Sequence, residues 1–272
     1  MDTSVVKPGT SGLVLFWDFD GTLVYSDHLW SRAMCEAINE AAGRPLVCLK
    51  DVRPHMRSGL PWHTPERPYP EGTMENWWPM LERRLQEIGR ALALTREQAE
   101  TVPSRLRSRI LDPGRYHLYP DTVSVLEWSR QAGYRNILLS NNYPELPDTM
   151  DRLGLSPYFE SMVVSAHMGY EKPHPILFER ALALAGVDAV RCVMIGDNPE
   201  ADIRGGRQAG MRTVLVHREE QDGNADVALP CLSLLPGVLA GWSGGQGNCR
   251  AASACGYEPQ KPLEKGEPDP CE

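Results

Sequence analysis

The sequence predicts an α/β protein, a doubly wound parallel sheet with a helical cap domain inserted after the first strand. Three observations lead there. Short apolar runs at residues 13–17, 136–139, 162–164, 192–195 and 213–216 read as strands buried on both faces. Between the later runs lie helical patterns at residues 122–131, 145–153, 175–185 and 199–208. A single long interruption, from residue 22 to about 115, carries only helical spacing.

The elements follow in order. The first run is bounded by Pro8-Gly9 and Gly12 before it and by Asp18 after it. The insert then carries apolar residues at three- and four-residue spacing over 29–42, 73–88 and 95–110. Its middle, 53–72, is rich in proline, histidine and tryptophan and reads as an irregular loop. After the insert, strand and helix alternate, and the helices stop at Gly133, Gly154, Gly186 and Gly210. Right-handed crossovers then give one twisted sheet. The expected division is a core of residues 1–21 and 116–240, a helical cap of 22–115 and a flexible tail of 241–272.

Composition bounds the function. A content of 42% hydrophobic and 24% charged residues is that of a soluble globular chain. A net charge of −8 argues against a nucleic-acid partner and against an anionic membrane surface. No apolar run approaches the roughly 20 residues of a membrane span, and the first ten residues lack a secretory pattern. The seven cysteines follow neither a zinc nor a redox spacing. Cys35 and Cys192 read as small buried hydrophobes, and a reducing, cytoplasmic setting is expected.

The most informative string is FWDFDGTL, which places Asp18 at a strand end and Asp20 two residues later. In an open parallel sheet, ligands bind beyond the carboxyl ends of the strands, where strand order reverses. Two carboxylates there suit a hard divalent cation, and one of them suits nucleophilic attack on phosphate. A turn in which Asp and Gly supply the geometry is the plain alternative. Three later strings fall at the ends of other predicted strands. Ser140, Asn141 and Asn142 offer a hydroxyl and amides for phosphate oxygens, or a helix cap. Lys172, within Glu171-Lys172-Pro173, offers a counter-charge, or is a solvated lysine. Asp197 offers a metal ligand and Asp202 a group that orients it, or both favour a helix start. Chance would have to put a phosphate-friendly group at every one of these strand ends.

Taken in order, the four strings resemble the four motifs of the haloacid dehalogenase-like hydrolase superfamily, over about residues 13–216 of a Rossmann-like core. The resemblance implies Asp18 as nucleophile and Asp20 as general acid and base. It implies Gly21, Ser140, Asn141 and Lys172 around the phosphate. Mg2+ would be held by Asp18, Asp197 and the backbone carbonyl of Asp20, with Asp202 in support. The insert resembles the cap of the subgroup that includes phosphoglycolate phosphatase and beta-phosphoglucomutase. The candidate substrate contacts are Tyr25, His28, His55, Arg57, Trp62 and His63, whereas Trp77 and Trp78 read as cap core.

A true dehalogenase of this superfamily lacks the second aspartate of the first motif, so Asp20 implies phosphoryl transfer. The expected substrate is a small phosphorylated metabolite, and the expected reaction is hydrolysis of a phosphomonoester. The rivals are a phosphomutase of the same superfamily and a module that keeps the fold without the activity.

Overall fold

A computed structural model describes residues 12–69, 74–218 and 224–242. Its main sheet has six parallel strands in the order β5-β4-β1-β6-β7-β8. The first strand, β1 (Val14–Trp17), lies in the middle. Its successor in chain order, β2 (Val24–Tyr25), belongs instead to a small antiparallel ribbon with β3 (His117–Leu118). To one side of β1 lie β4 (Arg135–Ser140) and β5 (Ser161–Val164). To the other lie β6 (Cys192–Gly196), β7 (Arg212–Val216) and β8 (Val227–Leu229). Strand order therefore reverses at β1, which opens a crevice beyond its carboxyl end.

All four residues of β1 are buried, and they alternate between two cores. Leu15 and Trp17 join the cluster that also holds Leu138, Val164 and Ile195. Val14 and Phe16 join Ile137, Leu139, Met194 and Phe178 on the other face. A strand buried on both faces carries no polar alternation, which is why these runs read as continuous apolar segments.

Between β2 and β3 the chain forms a helical unit. Helix α1 (Leu29–Ala42) packs against α4 (Arg96–Ile110), which packs in turn on α3 (Trp77–Ala91); a short α2 (Leu49–Val52) follows α1. Ala33, Ala37, Leu85, Val102 and Leu106 are fully buried within this unit. Thr95 caps α4 reciprocally with Gln98, at 3.3 Å and 3.0 Å.

The remaining helices are α5 (Thr122–Gln131), α6 (Leu146–Arg152), α7 (Ser165–Met168), α8 (Pro175–Ala185), α9 (Gly205–Gln208) and α10 (Leu235–Trp242).

The structure corrects the sequence reading in four places. Val24–Tyr25 and His117–Leu118 pair as strands at the two ends of the insert, and two residues are too few to show a period of two. The expected irregular loop contains two 3-10 turns, His55–Arg57 and Pro61–His63. The helix expected over 199–208 begins as one π-helical stretch, Pro199–Arg204, before α9. Gly241 and Trp242, assigned to the tail, close α10; the rest of that stretch lies outside the described residues. None of the described helices is long and apolar enough to cross a membrane.

Trp17, immediately before Asp18, is tied into the neighbouring strand. Its indole N–H donates to Asn136 Oδ1 at 3.0 Å, and Asn136 Nδ2 donates to Ser129 Oγ at 2.8 Å and to the Tyr158 carbonyl at 3.1 Å. Replacing Asn136 by Ala strands a buried indole N–H and two acceptors. Asn136→Ala is expected to lower unfolding free energy by about 2–4 kcal/mol, read by urea denaturation.

Candidate active site

The backbone beyond β1 sets the first group. Asp18 N–H donates to the Ile195 carbonyl at 3.0 Å, so the ladder to β6 continues to the residue that carries the carboxylate. The chain then turns sharply: Gly21 N–H donates to the Val24 carbonyl at 2.7 Å, with Gly21 at φ +79°. A side chain there would also overlap the Asp197 carboxylate, so glycine is required twice over. Gly196, the last residue of β6, is likewise pressed against Asp202.

Lys172 joins the strand ends. Its Nζ donates to Asp18 Oδ1 at 2.8 Å, to Asp202 Oδ1 at 2.6 Å and to the Leu139 carbonyl at 2.8 Å. Burial works against the lysine charge, but the two carboxylates outweigh it and hold the ammonium above its ordinary range. Asn141 fixes the Lys172 backbone from both sides. The amide Nδ2 donates to the Lys172 carbonyl at 3.0 Å, and Oδ1 accepts from Lys172 N–H at 2.6 Å.

The π-helical stretch aims Asp202 inward. Asn198 N–H donates to Asp202 Oδ2 at 3.1 Å, while the Asn198 side chain accepts from the N–H groups of Glu200 and Ala201. Both Asp202 oxygens are therefore engaged, and the residue is fully buried. Asp197 is partly buried. Burial, followed by the charges of Asp18 and Asp202, holds its carboxyl well above the usual range.

Asp18, Asp197 and Asp202 each offer an oxygen within 4.8 Å of the others. Three carboxylates against one ammonium leave surplus negative charge among hard oxygen donors. That donor set fits a divalent cation of the magnesium or calcium kind.

Asp18, Asp20, Ser140, Asn141, Lys172 and Asp197 line one cavity of about 340 Å³. Ser140 Oγ is buried and has no hydrogen-bond partner among the described residues. Asp20 Oδ2 accepts from Asn142 Nδ2 at 2.8 Å, and burial together with the Asp18 charge pushes the Asp20 carboxyl up to about 7.

Of the proposed contacts from the insert, Trp62 lines this cavity and His28 lines an adjoining one. The other four line neither. The Tyr25 ring packs on His117 and Tyr119, and Arg57 is exposed on the loop. Nδ1 of His63 accepts from Leu60 N–H at 3.2 Å, and the backbone of His55 receives Arg84.

Sequence reasoning gave no role to Glu171, Ser165 or Tyr69 and offered Asn142 only as an amide for phosphate or a helix cap; the four form one connected network. Tyr69 O–H donates to Glu171 Oε1, Ser165 Oγ donates to the same atom at 3.1 Å, and Asn142 N–H donates to Ser165 Oγ at 3.0 Å. Asn142 and Glu171 stand inside the strings that supplied Ser140 and Lys172, so adjacency was the available signal. Trp77 is buried as expected and also forms a wall of the adjoining cavity.

A family model described as haloacid dehalogenase-like hydrolase matches residues 13–210, and the chain belongs to this family. Phosphoserine phosphatase from Thermus thermophilus is 38% identical over 135 residues, which are 49% of this chain and 51% of that protein. Glyceraldehyde 3-phosphate phosphatase from Methanothermobacter thermautotrophicus is 35% identical over 109 residues, 40% of this chain and 48% of that protein. The matched part thus spans about half the length of these curated relatives. The magnesium-bound structure of YfnB from Bacillus subtilis superposes with a TM-score of 0.64 at 18% identity. That match covers 84% of this chain and 98% of the other, and it shows the shared fold.

Burial pushes the Glu171 carboxyl up to about 7, against the hydrogen bonds from Tyr69 and Ser165 and the charge of Lys172. The folded state therefore holds a proton that the unfolded chain releases near pH 4.5. This contribution is complete below that pH and is lost as pH rises through about 7. The stability of the wild type relative to Glu171→Gln is expected to fall between pH 5 and pH 8, read by urea denaturation at both.

Proposed function

We propose that the protein is a magnesium-dependent phosphatase acting on a small phosphomonoester through an aspartyl-phosphate on Asp18. The observation that carries this reading is the single cavity that gathers Asp18, Lys172, Asp197 and the partnerless Ser140 hydroxyl. A buried ammonium and an unsatisfied hydroxyl facing the same space suit the oxygens of a phosphate. The phosphatases among the relatives support the same reaction class.

Asp18 is the nucleophile. Lys172 holds Oδ1, so Oδ2 is the oxygen that attacks phosphorus as the bond to the leaving alcohol breaks. Asp20 donates a proton to the departing oxygen. It is suited to this because burial keeps its carboxyl near neutrality and Asn142 fixes its orientation. Water then attacks the aspartyl-phosphate, Asp20 takes the proton back, and inorganic phosphate leaves. Ser140 holds a phosphoryl oxygen throughout, while Lys172, its three N–H groups already committed, acts on the phosphoryl group through its charge. Asn141, assigned to the phosphate from sequence, acts by fixing the Lys172 backbone.

Asp18, Asp197 and the backbone carbonyl of Asp20 would hold the magnesium ion, with Asp202 positioning Lys172 beneath them. When bound, the ion neutralises charge on the transferring group. Gly21 leaves room for the Asp197 carboxylate.

Phosphate release from a panel of sugar phosphates, nucleoside monophosphates and p-nitrophenyl phosphate tests the reaction. Asp18→Asn is expected to lose on the order of 10³-fold or more in kcat with its far-ultraviolet circular dichroism unchanged. A variant that retains most metal-dependent turnover would overturn the assignment. Millimolar magnesium is expected to raise the Tm of the wild type and to leave that of Asp197→Asn nearly unmoved.

A further inference from the structure

Beside the cavity of Asp18 lies a second one, also of about 340 Å³, and the two share Asp20, Asn141 and Trp62. Its walls are aromatic: Trp30, Trp62, Trp77 and Tyr143. The rings of Trp30 and Trp62 lie 4.8 Å apart between centroids, and that of Trp77 stands edge-on to Trp30 at 6.2 Å.

One deeply buried carboxyl group lines this space. Glu171 lines the cavity and is 2% exposed. Its Oε1 is taken by Tyr69 and Ser165, whereas Oε2 is buried with no partner among the described residues. Leaving a carboxyl oxygen buried and unmatched is costly, so its retention points to a positively charged group brought by a ligand.

The charge balance narrows what that ligand is. Among the described residues, neither lysine nor arginine lines the cavity, and burial holds the imidazole of His28 below its ordinary range. Two carboxyl groups, Asp20 and Glu171, line the space. A second anionic group on a substrate would find no described lysine or arginine there to offset its charge. An organic cation would meet tryptophan faces and a counter-charge.

We propose that the second cavity receives the alcohol half of the substrate, and that this half carries an ammonium group seated against the tryptophans with Glu171 Oε2 as its counter-charge. The part concerning the substrate rests on the phosphatase reading above, because Asp20, the proton donor to the leaving oxygen, belongs to both cavities. The affinity for an organic cation does not depend on that reading.

Phosphocholine and 3,3-dimethylbutyl phosphate have the same shape and differ by one positive charge; phosphoethanolamine and propyl phosphate form a similar pair. The cationic member of each pair is expected to show a kcat/KM at least roughly ten-fold higher, with phosphoglycolate the poorest substrate. In Glu171→Gln the ratio of cationic to neutral substrate is expected to fall toward one, and in Trp62→Leu to fall as well. Equal rates within the pairs, a preference for phosphoglycolate, or an unchanged ratio in Glu171→Gln would overturn the proposal.

Choline and 3,3-dimethylbutan-1-ol, titrated against tryptophan fluorescence of the whole chain, separate the two ideas. Tighter binding of choline, lost in Glu171→Gln, with no turnover of any phosphomonoester would leave the cation site standing and remove the phosphatase reading. Turnover of p-nitrophenyl phosphate with no preference for choline would do the reverse.

Discussion

The structure turns on one buried ammonium. Lys172 is 3% exposed, and a charge so placed is costly unless it is paired and fully hydrogen-bonded. Its three partners come from three places in the sheet: Asp18 after β1, the Leu139 carbonyl in β4 and Asp202 in the π-helical stretch after β6. Removing one partner of such a pair typically costs about 3–5 kcal/mol, because the other is left buried and uncompensated. The same contacts hold the Asp18 carboxyl at the mouth of the crevice. Stability and chemistry therefore depend on the same three strand ends.

Local backbone choices serve that arrangement. Gly21 and Gly196 let two carboxylates pack where any side chain would displace them. Asn141 spends its whole amide on the Lys172 backbone, and the wider turn of Pro199–Arg204 directs Asp202 toward the lysine. A further link runs to the insert, because Tyr69 donates to Glu171, the residue next to Lys172. Tyr69 N–H also donates to the Gly169 carbonyl at 2.9 Å, so the insert loop is tied to the segment that carries the lysine.

The two cavities differ in charge. The first holds an ammonium, a partnerless hydroxyl and the metal-suited carboxylates, which suit phosphate. The second holds carboxylates and indole faces without a described lysine or arginine. Asp20 stands between them, near enough to neutrality to exchange a proton, and Trp62 from the insert touches both.

Much of the fold could be read from the sequence, because strands buried on both faces carry continuous apolar runs and helices carry a repeat near 3.6 residues. The ribbon of Val24–Tyr25 with His117–Leu118 could not, since its pairing joins residues some ninety apart and each strand is two residues long. The strings around Asp18, Ser140 and Asp197 were legible because each closes a strand whose carboxyl end must face one crevice, whereas Lys172 returns to it from beyond α7. Within those strings, the bond from Asn142 to Asp20 and any role for Glu171 were not readable, since a hydrogen bond to Asp20 or Tyr69 depends on side-chain direction rather than spacing. The same holds for the insert, where Trp62 and His28 reach the cavities while Tyr25, His55, Arg57 and His63 do not. The amino-acid order by itself determined which residue types stand at the strand ends. Only tertiary packing decided which oxygen Lys172 holds, which amide is spent on backbone and which carboxylate is left without a partner, because those outcomes depend on ångström-scale approach between segments distant in the chain.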